Sequence, residues 1–114
     1  MAKVRIGIVG LNRGGTLLRK ALACPHIEVA AVCDRRRDLA DRLAAEHGIA
    51  AVHYDLAETL AADLDAVVLA TPIPDHAEHV VRTLQAGKHV LSEVTAATTL
   101  DDCRRIAATA RASD

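Results

Sequence analysis

The sequence holds two features whose residue types and spacing suit the binding of a phosphate-bearing ligand. The first is Gly7-Ile8-Val9-Gly10-Leu11-Asn12-Arg13-Gly14-Gly15, which closes an apolar run and leads directly into a helical pattern. Read from Gly10 it is G-x-N-x-x-G, one substitution from the G-x-G-x-x-G turn. In that turn the first glycine permits a tight bend, the second lets backbone approach a pyrophosphate, and the third allows close helix–strand packing. The helix N-terminus then turns its N–H groups toward the phosphates. Asn12 in the middle place tolerates positive φ better than most side-chained residues and can donate to a phosphate, but it occupies space the pyrophosphate would use. The same residues also suit a plain tight turn.

The second feature is Asp34, 24 residues after Gly10 and at the end of another apolar run. That is close to the spacing of a carboxylate that accepts from an adenosine 2′-hydroxyl and repels a 2′-phosphate, which favours NAD. Arg35 beside it can pair with a 2′-phosphate, so NADP stays open. Asp34 equally suits a loop acid that caps the following helix. A third segment, Thr71-Pro72-Ile73-Pro74-Asp75-His76, follows a further apolar run, at the kind of strand end where open α/β sheets bind ligands. Asp75, His76 and His79 resemble a metal trio. A helical i, i+3 histidine pair on a polar face with no other ligand cluster is better read as solvated, and no metal is expected.

The elements that must position these residues follow from periodicity. Apolar runs at Val4–Val9, Val29–Cys33, Ala51–Tyr54, Ala66–Ala70 and His89–Leu91 read as strands covered on both faces. Helical patterns lie between them: about Gly14 to Ala23, Asp38 to Gly48, Leu56 to Ala61, and Asp75 to Gly87 with Asp75 and Glu78 as a capping-box variant. A last helix starts near Thr99 with Leu100, Cys103, Ile106 and Ala110 as its inner face. Five βα units predict an α/β fold, a Rossmann-type doubly wound parallel sheet, with the sixth strand of the full fold missing.

Composition narrows the class. The chain has 114 residues, net charge −1, 51% hydrophobic residues and one aromatic, Tyr54. That suits one domain with a core of Val, Ile, Leu and Ala. Charge is unclustered apart from the short Arg35-Arg36-Arg37 run, so neither a nucleic-acid nor a membrane partner is expected. With no apolar span and no signal-like N-terminus, a cytoplasmic location is expected. Cys24, Cys33 and Cys103 lack CxxC spacing and are read as free thiols.

These residues resemble the N-terminal domain of the Gfo/Idh/MocA oxidoreductases, the group of glucose–fructose oxidoreductase and inositol dehydrogenase. The resemblance rests on Ile6-Gly7-Ile8-Val9-Gly10-Leu11-Asn12, on Val32-Cys33-Asp34, on Leu69-Ala70-Thr71-Pro72 with His76 four residues on, and above all on Ala86-Gly87-Lys88-His89-Val90-Leu91-Ser92-Glu93. It implies that Gly10, Asn12, Arg13 and Gly15 face the pyrophosphate of NAD(P) and that Asp34 faces the adenosine ribose. Thr71, Pro72, Ile73 and His76 would line the nicotinamide side, with Glu93 near its ribose. The family commonly reads Glu-Lys-Pro where this chain has Glu93-Val94-Thr95, so no catalytic residue is expected here. A substrate domain follows in the family and is absent from this sequence.

The expectation is therefore a dinucleotide-binding domain over residues 1–114. It belongs to an oxidoreductase that moves hydride on a sugar, polyol or related hydroxy or keto compound, and it binds nucleotide without turnover when alone. The alternative is a non-catalytic NAD(P)-binding or partner-docking module, favoured by Val94. A methyltransferase on the same fold is a weaker third reading. The open sheet edge and the last helix are expected to seek a C-terminal substrate domain or a second copy of the chain.

Overall fold

Strands and helices alternate along the chain in a computed structural model that describes residues 2–113. The order is β1 (Val4–Val9), α1 (Leu11–Leu22), β2 (Ile27–Cys33), α2 (Arg37–His47), β3 (Ala51–His53), α3 (Leu56–Leu60), β4 (Ala66–Leu69), a 3-10 turn (Ile73–Asp75), α4 (His76–Gln85), β5 (His89–Ser92) and α5 (Leu100–Ala112). Among the described residues the sheet has five strands in the order β3-β2-β1-β4-β5, every neighbouring pair parallel. This is the doubly wound α/β arrangement expected from the alternation. None of the helices among the described residues is long and apolar enough to cross a membrane.

The continuous apolar runs are explained by burial of both sheet faces. Ile6 and Ile8 of β1 and Val68 of β4 pack with Leu11 and Leu18 of α1 and Leu39, Ala40 and Ala44 of α2. Their strand neighbours Val9, Val67 and Leu69 point to the other face and pack with Leu56, Leu64 and Val80. With side chains alternating across the pleat, each face takes every second residue, and neither face can afford a polar one. Gly48 and Gly87 follow α2 and α4 as the sequence predicts.

Three expectations need correction. α1 begins at Leu11, not Gly14, so the glycine turn is a single residue, Gly10, and Asn12 already sits in the first helical turn. Asp75 gives α4 no side-chain cap. The proline-bearing segment before it coils into the 3-10 turn, which leaves Asp75 in right-handed rather than extended geometry, whereas capping needs the extended form. In α5, Ile106 packs on the core but Leu100, Cys103 and Ala110 are exposed. α5 lies beside α4, tied by Arg105 to Glu78 at 2.8 Å, so only a narrow strip of it reaches the core. Its Thr99 cap is as expected, the side chain accepting from the Asp102 N–H at 3.1 Å.

Thiol chemistry offers a check on this packing. Cys33 is 2% exposed and burial pushes its thiol up to about 11, whereas Cys103 is exposed. A thiolate-selective reagent is expected to label Cys103 in the native protein and Cys33 only after denaturant is added, because the thiolate is the reacting species. Native labelling of Cys33 at a comparable rate would contradict the packing of β2.

Candidate functional site

Strand order reverses between β1 and β4, and their carboxyl ends are level: Val9 pairs with Cys33 on one side and Leu69 on the other. The loops after β1, β2 and β4 therefore open on one rim, the place where doubly wound sheets leave a crevice. Gly10 crosses it at φ 89°, and a Cβ there would lie 2.6 Å from the backbone carbonyl of Ala70. The start of α1 thus rests directly on the Ala70–Thr71 segment.

At that helix start, the Leu11 N–H donates to Asp34 Oδ2 at 2.8 Å, and the Gly14 N–H donates to the Gly10 carbonyl at 3.0 Å. Helix geometry leaves the N–H groups of Asn12 and Arg13 without an intrahelical acceptor, on the positive end of the helix dipole. Asn12 needs no positive φ here; its side chain is exposed above the rim. Close packing is served by Gly14, whose added Cβ would meet Ile8 Cγ2 at 3.1 Å, and not by Gly15, where nothing lies within 4 Å.

A cavity of about 410 Å³ lies on the β2 side of Asn12. Gly10, Asp34, Arg35, Thr71 and Pro72 are among its walls. Asp34 is held from two directions, since Oδ1 accepts from the Arg36 N–H at 2.8 Å while Oδ2 takes Leu11. The loop-acid reading and the ligand reading are both built into this residue. It braces two strand-end loops, and each oxygen keeps a lone pair for another donor. Arg35 is exposed and 3.9 Å from Asp75.

A second cavity, about 370 Å³, adjoins the first across Asn12, Thr71 and Pro72, and brings together Arg13, Ile73, His76, Glu93 and Val94. Arg13 Nε donates to Glu93 Oε2 at 3.1 Å, joining α1 to the loop after β5, and Glu93 Oε1 accepts from the Val94 N–H at 3.0 Å. The Val94 N–H first, and Arg13 second, hold the Glu93 carboxyl below its ordinary range. Val94 is 78% exposed on this wall and offers only a hydrocarbon surface. Of the residues expected to face the dinucleotide, Gly15 alone lies outside both cavities.

The Asp75, His76 and His79 trio diverges. Asp75 faces Arg35, the His76 ring sits between two backbone carbonyls, and His79 Nδ1 pairs with Thr71 Oγ1 at 3.0 Å. Among the described residues no group of three His, Cys, Asp or Glu is arranged to hold a metal ion. Burial lowers the His79 pKa from its ordinary 6.5. Below that value the unfolded chain takes up a proton that folded His79 resists, so its contribution to stability is present above about pH 6.5 and is lost as pH falls toward the folded value. The urea midpoint is expected to drop between pH 7 and pH 5.5, and to drop less in His79→Asn. An equal drop in both would assign the acid sensitivity elsewhere.

Sequence reasoning passed over Arg36, Tyr54, His79 and Arg82 as walls of the first cavity. Topology was the missing signal for Tyr54: β3 lies beside β2, so the end of β3 arrives next to Asp34. His79 and Arg82 come from one face of α4, three residues apart.

A family model described as an oxidoreductase family with an NAD-binding Rossmann fold matches residues 4–114. A protein of Solibacter usitatus named as a glycosyl hydrolase family 109 protein is 36% identical over 96% of this chain and 28% of its own length. Inositol 2-dehydrogenase/D-chiro-inositol 3-dehydrogenase of Shouchella clausii is 37% identical over 90% of this chain and 31% of its own length. A 3-ketoreductase from Actinomadura kijaniata, solved with NADP and TDP-benzene in an open conformation, superimposes with a TM-score of 0.89 at 34% identity, covering 97% of this chain and 36% of its own. The chain thus spans about a third of the length of these relatives.

Proposed function

The chain belongs to the Gfo/Idh/MocA oxidoreductase family with its NAD-binding Rossmann fold, and on that premise we propose that its two adjoining cavities hold the two halves of one dinucleotide. The observation that carries this reading is the start of α1. The unpaired N–H groups of Asn12 and Arg13 stand where the cavities meet, which is where a pyrophosphate must lie if adenosine occupies one side and nicotinamide the other. Gly10 lets the backbone come close, Asp34 accepts from the adenosine ribose, and Arg35 stands where a 2′-phosphate would reach. Thr71, Pro72, Ile73 and Glu93 border the nicotinamide half. Gly15 packs too far into α1 to touch a ligand and serves the helix. NAD is the favoured cofactor because Asp34 is braced in place, and Arg35 keeps NADP in range.

When bound, the nicotinamide ring supplies or takes a hydride; this chain binds and orients it. The relatives point to a sugar, polyol or similar hydroxy or keto compound as the substrate of the whole enzyme. A relative named as a hydrolase and one named as a dehydrogenase match this chain about equally, which supports a shared nucleotide site and a substrate chosen elsewhere. Residues 1–114 then act as one dinucleotide-binding unit, and a substrate domain or second copy seats against the edge of β5, where Leu91 is 63% exposed, and the start of α5, where Leu100 is 64% exposed. Free thiols fit the reducing cytoplasm, and balanced charge fits neither nucleic acid nor membrane. A second reading, binding without catalysis, is favoured by Val94, which cannot carry a proton.

Calorimetric titration with NAD+, NADH, NADP+ and NADPH tests the proposal. One-to-one saturation, with NADH at least as tight as NADPH, is the expected result; no heat with any of the four would overturn it.

A further inference from the structure

The buried polar side chains among the described residues are Thr59, His76 and Thr83, and of these only His76 ionises. It is the first residue of α4 and 1% exposed. Its Nδ1 lies 2.6 Å from the carbonyl of Thr95 and its Nε2 2.5 Å from the carbonyl of Thr71. Carbonyl oxygens only accept, so each nitrogen is useful here only as a donor. A neutral ring has one N–H and would aim its other lone pair at an oxygen. Thr71 follows β4, and Thr95 follows β5 by way of Glu93 and Val94. The ring therefore spans the two strand-end segments that wall the second cavity.

We propose that His76, carrying a proton on both ring nitrogens, is a positioning residue that clamps the segment after β4 to the segment after β5 and so sets the width of the nicotinamide half of the site. The charge is not isolated. Glu93 faces it from the β5 segment, its carboxylate shared with Arg13 and the Val94 N–H; His79 lies one turn further along α4, and neighbouring Asp75 turns away to Arg35. A buried cation is tolerable when its donors are satisfied and an opposite charge is near. The clamp meets the adenosine half only at Thr71, which walls both cavities; Asp34 and Tyr54 on its other walls are not among the clamp's partners.

This inference rests on the dinucleotide reading, and two measurements separate their failures. In the ligand-free protein, long-range proton–nitrogen spectra of the His76 ring, assigned by loss of the signals in His76→Gln, are expected at pH 6 to show both ring nitrogens protonated. One protonated and one bare nitrogen would overturn the clamp whether or not any nucleotide binds. In the second, NADH and ADP-ribose are titrated against wild type and His76→Gln. ADP-ribose lacks the nicotinamide ring, so its affinity is expected to hold within about twofold while that of NADH falls about tenfold, a difference of about 1.4 kcal/mol. Equal losses of both would overturn the positioning role, as would no loss of either. If wild type binds neither ligand the dinucleotide reading fails, and the ring spectra still decide the clamp.

Discussion

Asp34→Ala is expected to weaken NADH binding about a hundredfold while weakening NADPH binding far less. A ribose diol placed against the carboxylate makes two charge-assisted hydrogen bonds, and losing about 3 kcal/mol with them corresponds to about two powers of ten in Kd. The same carboxylate repels a 2′-phosphate, so its removal offsets part of the NADPH loss and leaves Arg35 as the neighbouring cation. The preference between the two cofactors is therefore expected to shift toward NADPH by at least tenfold. Because Asp34 also holds the Leu11 and Arg36 N–H groups, the variant will lose some stability, which a urea midpoint measures separately. Equal losses for NADH and NADPH would reduce Asp34 to a brace between loops.

Gly10→Ala is expected to cost at least about 3 kcal/mol of folding stability. A side chain at φ 89° is itself strained by about 1 to 3 kcal/mol. The added Cβ would also lie 2.6 Å from the Ala70 carbonyl and 2.8 Å from the Thr71 nitrogen. That backbone cannot retreat freely, because the Ala70 N–H is bonded to the Val9 carbonyl at 2.8 Å. Gly15→Ala is the contrasting variant. In the interior of α1 with open space around its added methyl, it is expected to gain about 0.5 to 1 kcal/mol and to leave NADH affinity unchanged. Denaturant titration of both variants checks the pair. A Gly10→Ala loss below about 1 kcal/mol would mean that β1 and β4 are not as close at the rim as described.

The sheet was legible because both of its faces are buried: runs such as Ile6–Val9 and Ala66–Leu69 carry no polar interruption, and the turns between them hold glycine, proline or aspartate. Helix starts were less so. No side chain marks the start of α1, which is set by the backbone of Gly10 and by a carboxylate from another strand, and no local pattern records a partner 23 residues away. The inner face of α5 was misread for a related reason. Its apolar stripe exists, but which side meets the core depends on where α5 settles against α4. In the candidate site, the residues placed by motif spacing do converge on one rim, because parallel strands end level. Tyr54 and Arg82 reach that rim through strand order and helix rotation, which spacing alone does not encode. For His76 the resemblance implied a place on the nicotinamide side, but nothing in the residue pattern pointed to a clamp between two loops. Its partners are main-chain oxygens 5 and 19 residues away, and backbone acceptors leave no trace in residue type.

The most direct test of the central claim, that one dinucleotide spans the rim with its pyrophosphate at the start of α1, is an amide proton–nitrogen spectrum recorded as NADH is added. Saturable shifts are expected, centred on the Asn12 and Arg13 amides and extending to Arg35 on one side and to Thr71 and Val94 on the other, with α5 unmoved. Shifts confined to the β5 edge and α5, or no saturable shift at millimolar NADH, would contradict it.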